Sequence, residues 1–255
     1  MSSTIQPKYS LKDIQLSLDS GEFSKGMQLY KDGKVGKITA DPLTYTATVM
    51  GTERYHVCVS VSHFDKGACD CYLGKKDYLC KHMAALAIAV VHTYKPEGTT
   101  LIDHPLDQAV CSGKINEITQ DEITKVEKEI KIGLALIKSW SGPSKKWFEY
   151  QDNLSKGSRI ILLALSKLPI CEKSVLMCIN LLKKLDKKLL NGIDDSEGTI
   201  GVLMEEIIEL FCLFVDFKKD LGPYIATSLP KGEMFEWDNN FFVFHEELRK
   251  FRKNI

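Results

Sequence analysis

The sequence predicts an α+β fold, and two observations carry the prediction. Residues 44–61 alternate apolar with polar or small side chains, the period of half-buried strands. From about residue 117 onward apolar residues recur three and four apart, with turn signals between the runs. We therefore expect a small three-stranded antiparallel sheet joined by a cysteine-rich knot to a buried helix, with short helices against it, over residues 1–100, a linker over 101–116, and an all-helical region over 117–255. The helical region reads as a bundle or as a short HEAT-like stack, since no fixed-period repeat separates the two.

Taken in order, Ser10 is a candidate N-cap for a helix that places Leu11, Ile14 and Leu18 on one face. Phe23, Met27 and Tyr30 repeat that spacing, and Gly33 is placed to end the second helix. Val35 and Ile38 lead as a first strand into the turn Asp41-Pro42. Tyr45, Ala47 and Val49 form the second strand, Gly51-Thr52 turns, and Tyr55, Val57, Val59 and Val61 form the third. A sheet this small has little core of its own.

The segment after the sheet is unusual in composition. Cys69-Asp70-Cys71 is followed by eight residues and then Cys80-Lys81-His82, which opens the apolar run 83–91. Residues two apart in extended chain point to one side, so Cys69 and Cys71 aim at a common point. Cys80 and His82 do the same if Cys80 lies just before the first helical turn. Tetrahedral zinc takes four N or S donors at about 2.0–2.3 Å, and three thiolates with one imidazole form a closed structural set. One structural zinc ion held by Cys69, Cys71, Cys80 and His82 is therefore expected, pinning the helix to the sheet. His56 falls out of phase with the buried valines and should face solvent; His63 is the substitute ligand if His82 turns away. A disulfide between Cys69 and Cys71 is disfavoured by their closeness along the chain. The five other cysteines read as ordinary core residues.

The pattern C-x-C, variable loop, C-x-H resembles the SWIM-type zinc finger. The preamble Phe23-Ser24-Lys25-Gly26, Tyr30, Gly33, Val35 and Tyr55-His56-Val57 is also similar to that family, with Lys25 standing where the family often has Arg. The resemblance covers about residues 10–95. It implies a zinc-binding module used for protein–protein or DNA interaction, and does not by itself imply an activity.

Lys95-Pro96-Glu97-Gly98 stops the helix that Cys80 begins, and Asp103-His104-Pro105 extends the break. Thr119-Gln120-Asp121-Glu122 is a capping box, followed by Ile123, Val126, Ile130, Leu134, Ile137 and Trp140 at helical spacing. Trp147, Tyr150 and Leu154 begin a further helix, with Gly157-Ser158 read as an interruption before Ile161, Leu162, Leu165 and Leu168. Another stripe runs from Val175 to Leu189, residues 200–217 read as a central helix, Leu221-Gly222-Pro223 as a break, and residues 224–229 and 241–252 as the last helices. His92 is expected to meet the negative end of its helix favourably. Asp194, Asp195 and Glu197, with Ser196 and Thr199, could gather a hard cation or meet a basic partner; the same residues also read as the cap of the next helix.

Composition bounds the function. Lys plus Arg and Asp plus Glu stand at 34 each in 255 residues, so no strong global field draws nucleic acid. The N-terminus lacks the signature of a secretory signal, and no apolar run is long enough to span a bilayer, so a cytoplasmic protein without membrane attachment is expected. Phosphate-binding glycine loops and the G-x-S-x-G elbow are lacking, and no small-molecule substrate is evident. The first expectation is therefore a non-enzymatic adaptor for a protein partner. The second is nucleic-acid binding through Lys66, Lys75, Lys76 and Lys81, though Asp65, Asp70 and Asp77 are interleaved with them. An unrecognised enzyme in the helical region is the least favoured.

Overall fold

A computed structural model describes residues 5–102, 106–143 and 146–229. The chain forms two compact units, Met1–Asp103 and His104–Ile255. The fold is mixed, with a small antiparallel sheet in the first unit and helices in both.

In the first unit Ser10 and Asp13 form a reciprocal capping box that starts α1 (Leu11–Ser17). Asp19 caps α2 (Ser20–Lys31), which ends at Asp32, and Gly33 turns the chain away at φ 66°. The sheet has four strands, β1 (Thr39–Ala40), β2 (Thr44–Met50), β3 (Arg54–Ser60) and β4 (Ala68–Cys69), in the order β1-β2-β3-β4 and all antiparallel. Tyr45 opposes Val59 and Val49 opposes Tyr55, so the buried residues of β2 and β3 share one face.

The expected three-stranded sheet is thus corrected to four. The first expected strand survives as one bridge from Val35 to Val49 followed by the two residues of β1. The added strand, β4, is also two residues long. Neither is long enough to write a period of two into the sequence.

Helix α3 (Lys81–Tyr94) is the centre of this unit. Residues 82–91 are buried without exception, because β2 and β3 pack on one side of the helix and α1 and α2 on another. Such a helix is apolar all round and has no amphipathic stripe.

The second unit contains α4 (Gln120–Leu136), α5 (Trp147–Leu165), α6 (Glu172–Leu190), α7 (Thr199–Phe217) and α8 (Leu221–Ser228). Thr119 and Glu122 close the expected capping box on α4. Helix α7 packs on α5, α6 and α8, and its Leu203, Ile207, Phe211 and Phe214 lie in the centre of the core. Residues 106–118, most of which the sequence reads as linker, are irregular but anchored to this unit. Lys114 accepts the N–H of Ile170 through its carbonyl, Ser112 donates its hydroxyl to the carbonyl of Leu168, and Ile118 is buried.

Three sequence readings change here. Helix α4 stops at Leu136, and Trp140 instead packs its ring on Tyr150. Leu221-Gly222-Pro223 does not separate a helix from the chain before it but forms the first turn of α8, where proline costs no helical hydrogen bond. Gly157-Ser158 does not interrupt α5, which runs straight through. A Cβ on Gly157 would lie 2.8 Å from the carbonyl oxygen of Gly133, and one on Gly133 would lie 2.7 Å from the carbonyl oxygen of Gly157. Both glycines are there to let the backbones of α4 and α5 touch. Alanine at position 157 gains about 1 kcal/mol of helix propensity, but overpacking a tight contact costs about 1–3 kcal/mol. We therefore expect Gly157→Ala to lower the denaturation midpoint, and a raised midpoint would show that the helices can separate freely.

The helix expected over 241–252, Trp237 and His104 lie outside the described residues. Among the described residues no helix is long and apolar enough to cross a membrane.

Candidate metal centre

The four predicted donors come together. Cys69 ends β4, which pairs with β3 at Val57. The chain leaves the strand through Asp70, whose N–H donates to the carbonyl of His56 while its carboxylate accepts the His56 N–H. That exchange fixes the direction in which Cys71 sets out. Residues 72–79 then fold back over the cysteines through a one-turn 3-10 helix, Gly74–Lys76. A Cβ on Gly74 would fall 2.2 Å from the carbonyl oxygen of Cys69, so this loop closes only on glycine. The Gly74 N–H points at Cys71 Sγ, 3.3 Å away.

Cys80 is the N-cap residue of α3, in extended conformation at φ −120° and ψ 163°, and His82 lies in the first turn. The start of α3 is tied to α2, since Glu22 Oε2 accepts the N–H of Lys81 at 3.2 Å. Glu22 is itself paired with Lys25 at 2.7 Å. A carboxylate there complements the positive end of the helix.

Cys69, Cys71, Cys80 and His82 are 5%, 6%, 1% and 4% exposed, and one donor atom from each lies within 4.8 Å of all the others. His82 Nδ1 stands 3.9 Å from Cys69 Sγ and 4.0 Å from Cys80 Sγ. A tetrahedron with bonds of about 2.3 Å has edges of about 3.8 Å, so the two His82 distances are near that edge and the widest donor separation has to close by about 1 Å for a metal ion to be held. The donor set is buried on every side and could hold a metal ion. Hydrogen bonding from Cys69, and further from His82, the Met83 amide and Cys71, holds the Cys80 thiol well below its usual range despite burial. The same Cys80 contact, with burial, pushes Cys69 up. A helix N-terminus favours the thiolate at Cys80 in the same sense.

The neighbouring histidines stand apart from this group. His56 and His63 are exposed. His92 is half-buried and stacked on Tyr30 with ring centroids 4.7 Å apart, and burial lowers its pKa. His92 does lie in the last turn of α3, as expected, although its partial burial works against the charged form there.

Lys75 and Lys76 are exposed on the loop over the cysteines, and Lys76 reaches back to the Tyr72 hydroxyl at 2.6 Å, across that residue's ring. Tyr72 is 71% exposed. Lys81 is half-buried. On the sheet face turned away from α3, an open groove of about 750 Å³ is lined by Lys37, Thr39, Thr46, Thr48, His56 and Cys58, with Cys69 and Asp70 at its edge.

In the second unit, Asp194 accepts from Trp147 Nε1 at 2.9 Å and from the Ser196 hydroxyl at 2.6 Å. The two carboxylate oxygens of Asp195 accept the N–H groups of Ile200 and Gly201 at 2.8 and 2.9 Å, capping α7. Both carboxylates are thus occupied by N–H and O–H donors, while Glu197 is exposed. Sequence reasoning missed Glu22 and Gly74, whose roles depend on contacts made only after folding.

No protein-family model matches the chain, and none of the curated proteins or solved structures matches it.

Proposed function

We propose that Cys69, Cys71, Cys80 and His82 hold one structural zinc ion in a SWIM-type finger, and that the chain is a non-enzymatic adaptor for a protein partner. The observation that carries this reading is the buried set of three sulfurs and one imidazole whose donor atoms all lie within 4.8 Å of one another. With four protein ligands no position is left for water or substrate, so the ion would serve as a staple between sheet and helix. Zinc suits a donor set of three sulfurs and one nitrogen better than a hard cation would. The partner surface in this reading is the loop that the ion orders, where Tyr72 and Leu73 stand exposed beside Lys75 and Lys76. The helical unit, gathered around α7 as a bundle, supplies the second surface, and the cytoplasm is the compartment that keeps such thiols reduced.

Nucleic-acid binding is the second reading, favoured by the lysines of the same loop. Asp65, Asp70 and Asp77 offset them, and three thiolates leave a bound zinc centre with net negative charge. The two readings separate in one experiment. Full-length protein is titrated with labelled duplex and single-stranded DNA between about 50 and 200 mM salt, where phosphate contacts give a steep loss of affinity. The adaptor reading expects no saturable binding, together with capture from the native cell of a protein that is lost with Cys80→Ala and with Tyr72→Ala. A steep salt slope would replace the adaptor reading with the second one.

A further inference from the structure

His82 is held in a way that differs from the usual ligand histidine. A metal-bound imidazole ordinarily donates its far N–H to a carboxylate, a carbonyl or water, and that bond sets the ring orientation. In this chain Nδ1 faces the sulfurs of Cys69 and Cys80, while Nε2 is buried with no hydrogen-bond partner. Two residues at the β2–β3 turn take the place of that partner. The Tyr55 ring lies against the imidazole with centroids 4.3 Å apart and planes 31° from parallel. Gly51 lies at the Nε2 corner, so close that a Cβ there would meet Nε2 at 2.6 Å and Tyr55 Cε2 at 3.1 Å.

The glycine is not required by its backbone. Gly51 is not among the residues at positive φ, so an alanine could adopt its conformation. What demands glycine is space at the imidazole edge. Tyr55 is in turn fixed by a hydrogen bond of 2.9 Å between its hydroxyl and that of Thr52, within the same turn.

Resting on the zinc reading above, we infer that Gly51 and Tyr55 are positioning residues for the fourth metal ligand. Packing orients His82, so the turn between β2 and β3 controls how tightly the centre binds zinc. Tyr55 restrains rotation of the ring, and Gly51 sets how far the ring can retreat from the sulfurs.

The test is a double-mutant cycle on full-length reduced protein, with zinc affinity read by competition against a chromophoric chelator. Cobalt d–d absorption gives an independent view of coordination geometry. Gly51→Ala and Tyr55→Leu are each expected to weaken zinc binding by about 10–100-fold, the usual range for residues that orient a ligand, and to shift the cobalt bands. His82→Cys supplies a four-cysteine set that structural zinc also accepts and removes the ring. In that background Gly51→Ala should change affinity by no more than about twofold, as expected of uncoupled sites. Wild-type affinity in Gly51→Ala overturns the inference. So does an equal loss in both backgrounds, which would mark general damage to the turn. Wild-type protein that binds no zinc in the same titration overturns the zinc reading and the inference with it.

Discussion

Stripping metal from the reduced protein with a strong chelator is expected to unfold much of the first unit and leave α4–α8 folded. The reason is one of magnitude. Structural zinc contributes on the order of 10–16 kcal/mol in small finger peptides, whereas a whole domain is stable by only about 5–15 kcal/mol. The first unit has more core than a finger peptide, including Tyr45, Val59, Leu86 and Ile88. Even so, removal of the ion leaves three buried thiols and an imidazole around an apolar start to α3, and β4 has only two residues of ladder to hold it. Hydrogen exchange should therefore show protection lost first over residues 68–82 and then through the sheet, with α5 and α7 unchanged. His82→Ala should act in the same direction. A single shared transition for both units would refute their independence, and an unchanged first unit would refute the staple.

The second large effect lies in the other unit. Phe214 is fully buried on α7, the helix on which α5, α6 and α8 converge. Phe214→Ala removes a ring from a site that cannot collapse without moving several helices, and such changes cost about 3–5 kcal/mol. The thermal midpoint of the helical unit should fall on the order of 10–20 °C, with zinc affinity unaltered. A loss below about 1 kcal/mol would mean that the core closes over the gap.

The features legible in the sequence were those written locally. Ser10 with Asp13 and Thr119 with Glu122 mark helix starts because both partners of a capping box are three residues apart. The four donors were legible because their chain spacing alone brings two pairs to one point. What escaped depends on neighbours distant in the chain. The strand β4 exists because the edge of β3 accepts it, and two residues carry no period. Gly157 resembled a helix interruption because its purpose, contact with Gly133, lies in another helix. Gly51 resembled a simple turn residue because the imidazole it accommodates comes from thirty-one positions later. The carboxylates of residues 194–201 were ambiguous for the opposite reason, since a cap and a cation site use the same residue types until the donors are seen.

The position of Cys80 and His82 at the head of α3 also bears on how fast that helix can appear. Helix initiation is slow because the first turn must order about six dihedral angles for a single hydrogen bond, a penalty of roughly a thousandfold. Helix α3 has Ala84, Ala85, Ala87 and Ala89, which favour propagation, but its N-cap residue Cys80 makes no side-chain cap bond, so nothing local offsets the penalty of the first turn. The two donors stand at the start of that turn, Cys80 as N-cap and His82 as its second helical residue. An ion bound by both, as proposed above, would restrict part of that turn beforehand, and initiation of the most buried helix would then depend on ligand exchange as well as on a conformational search.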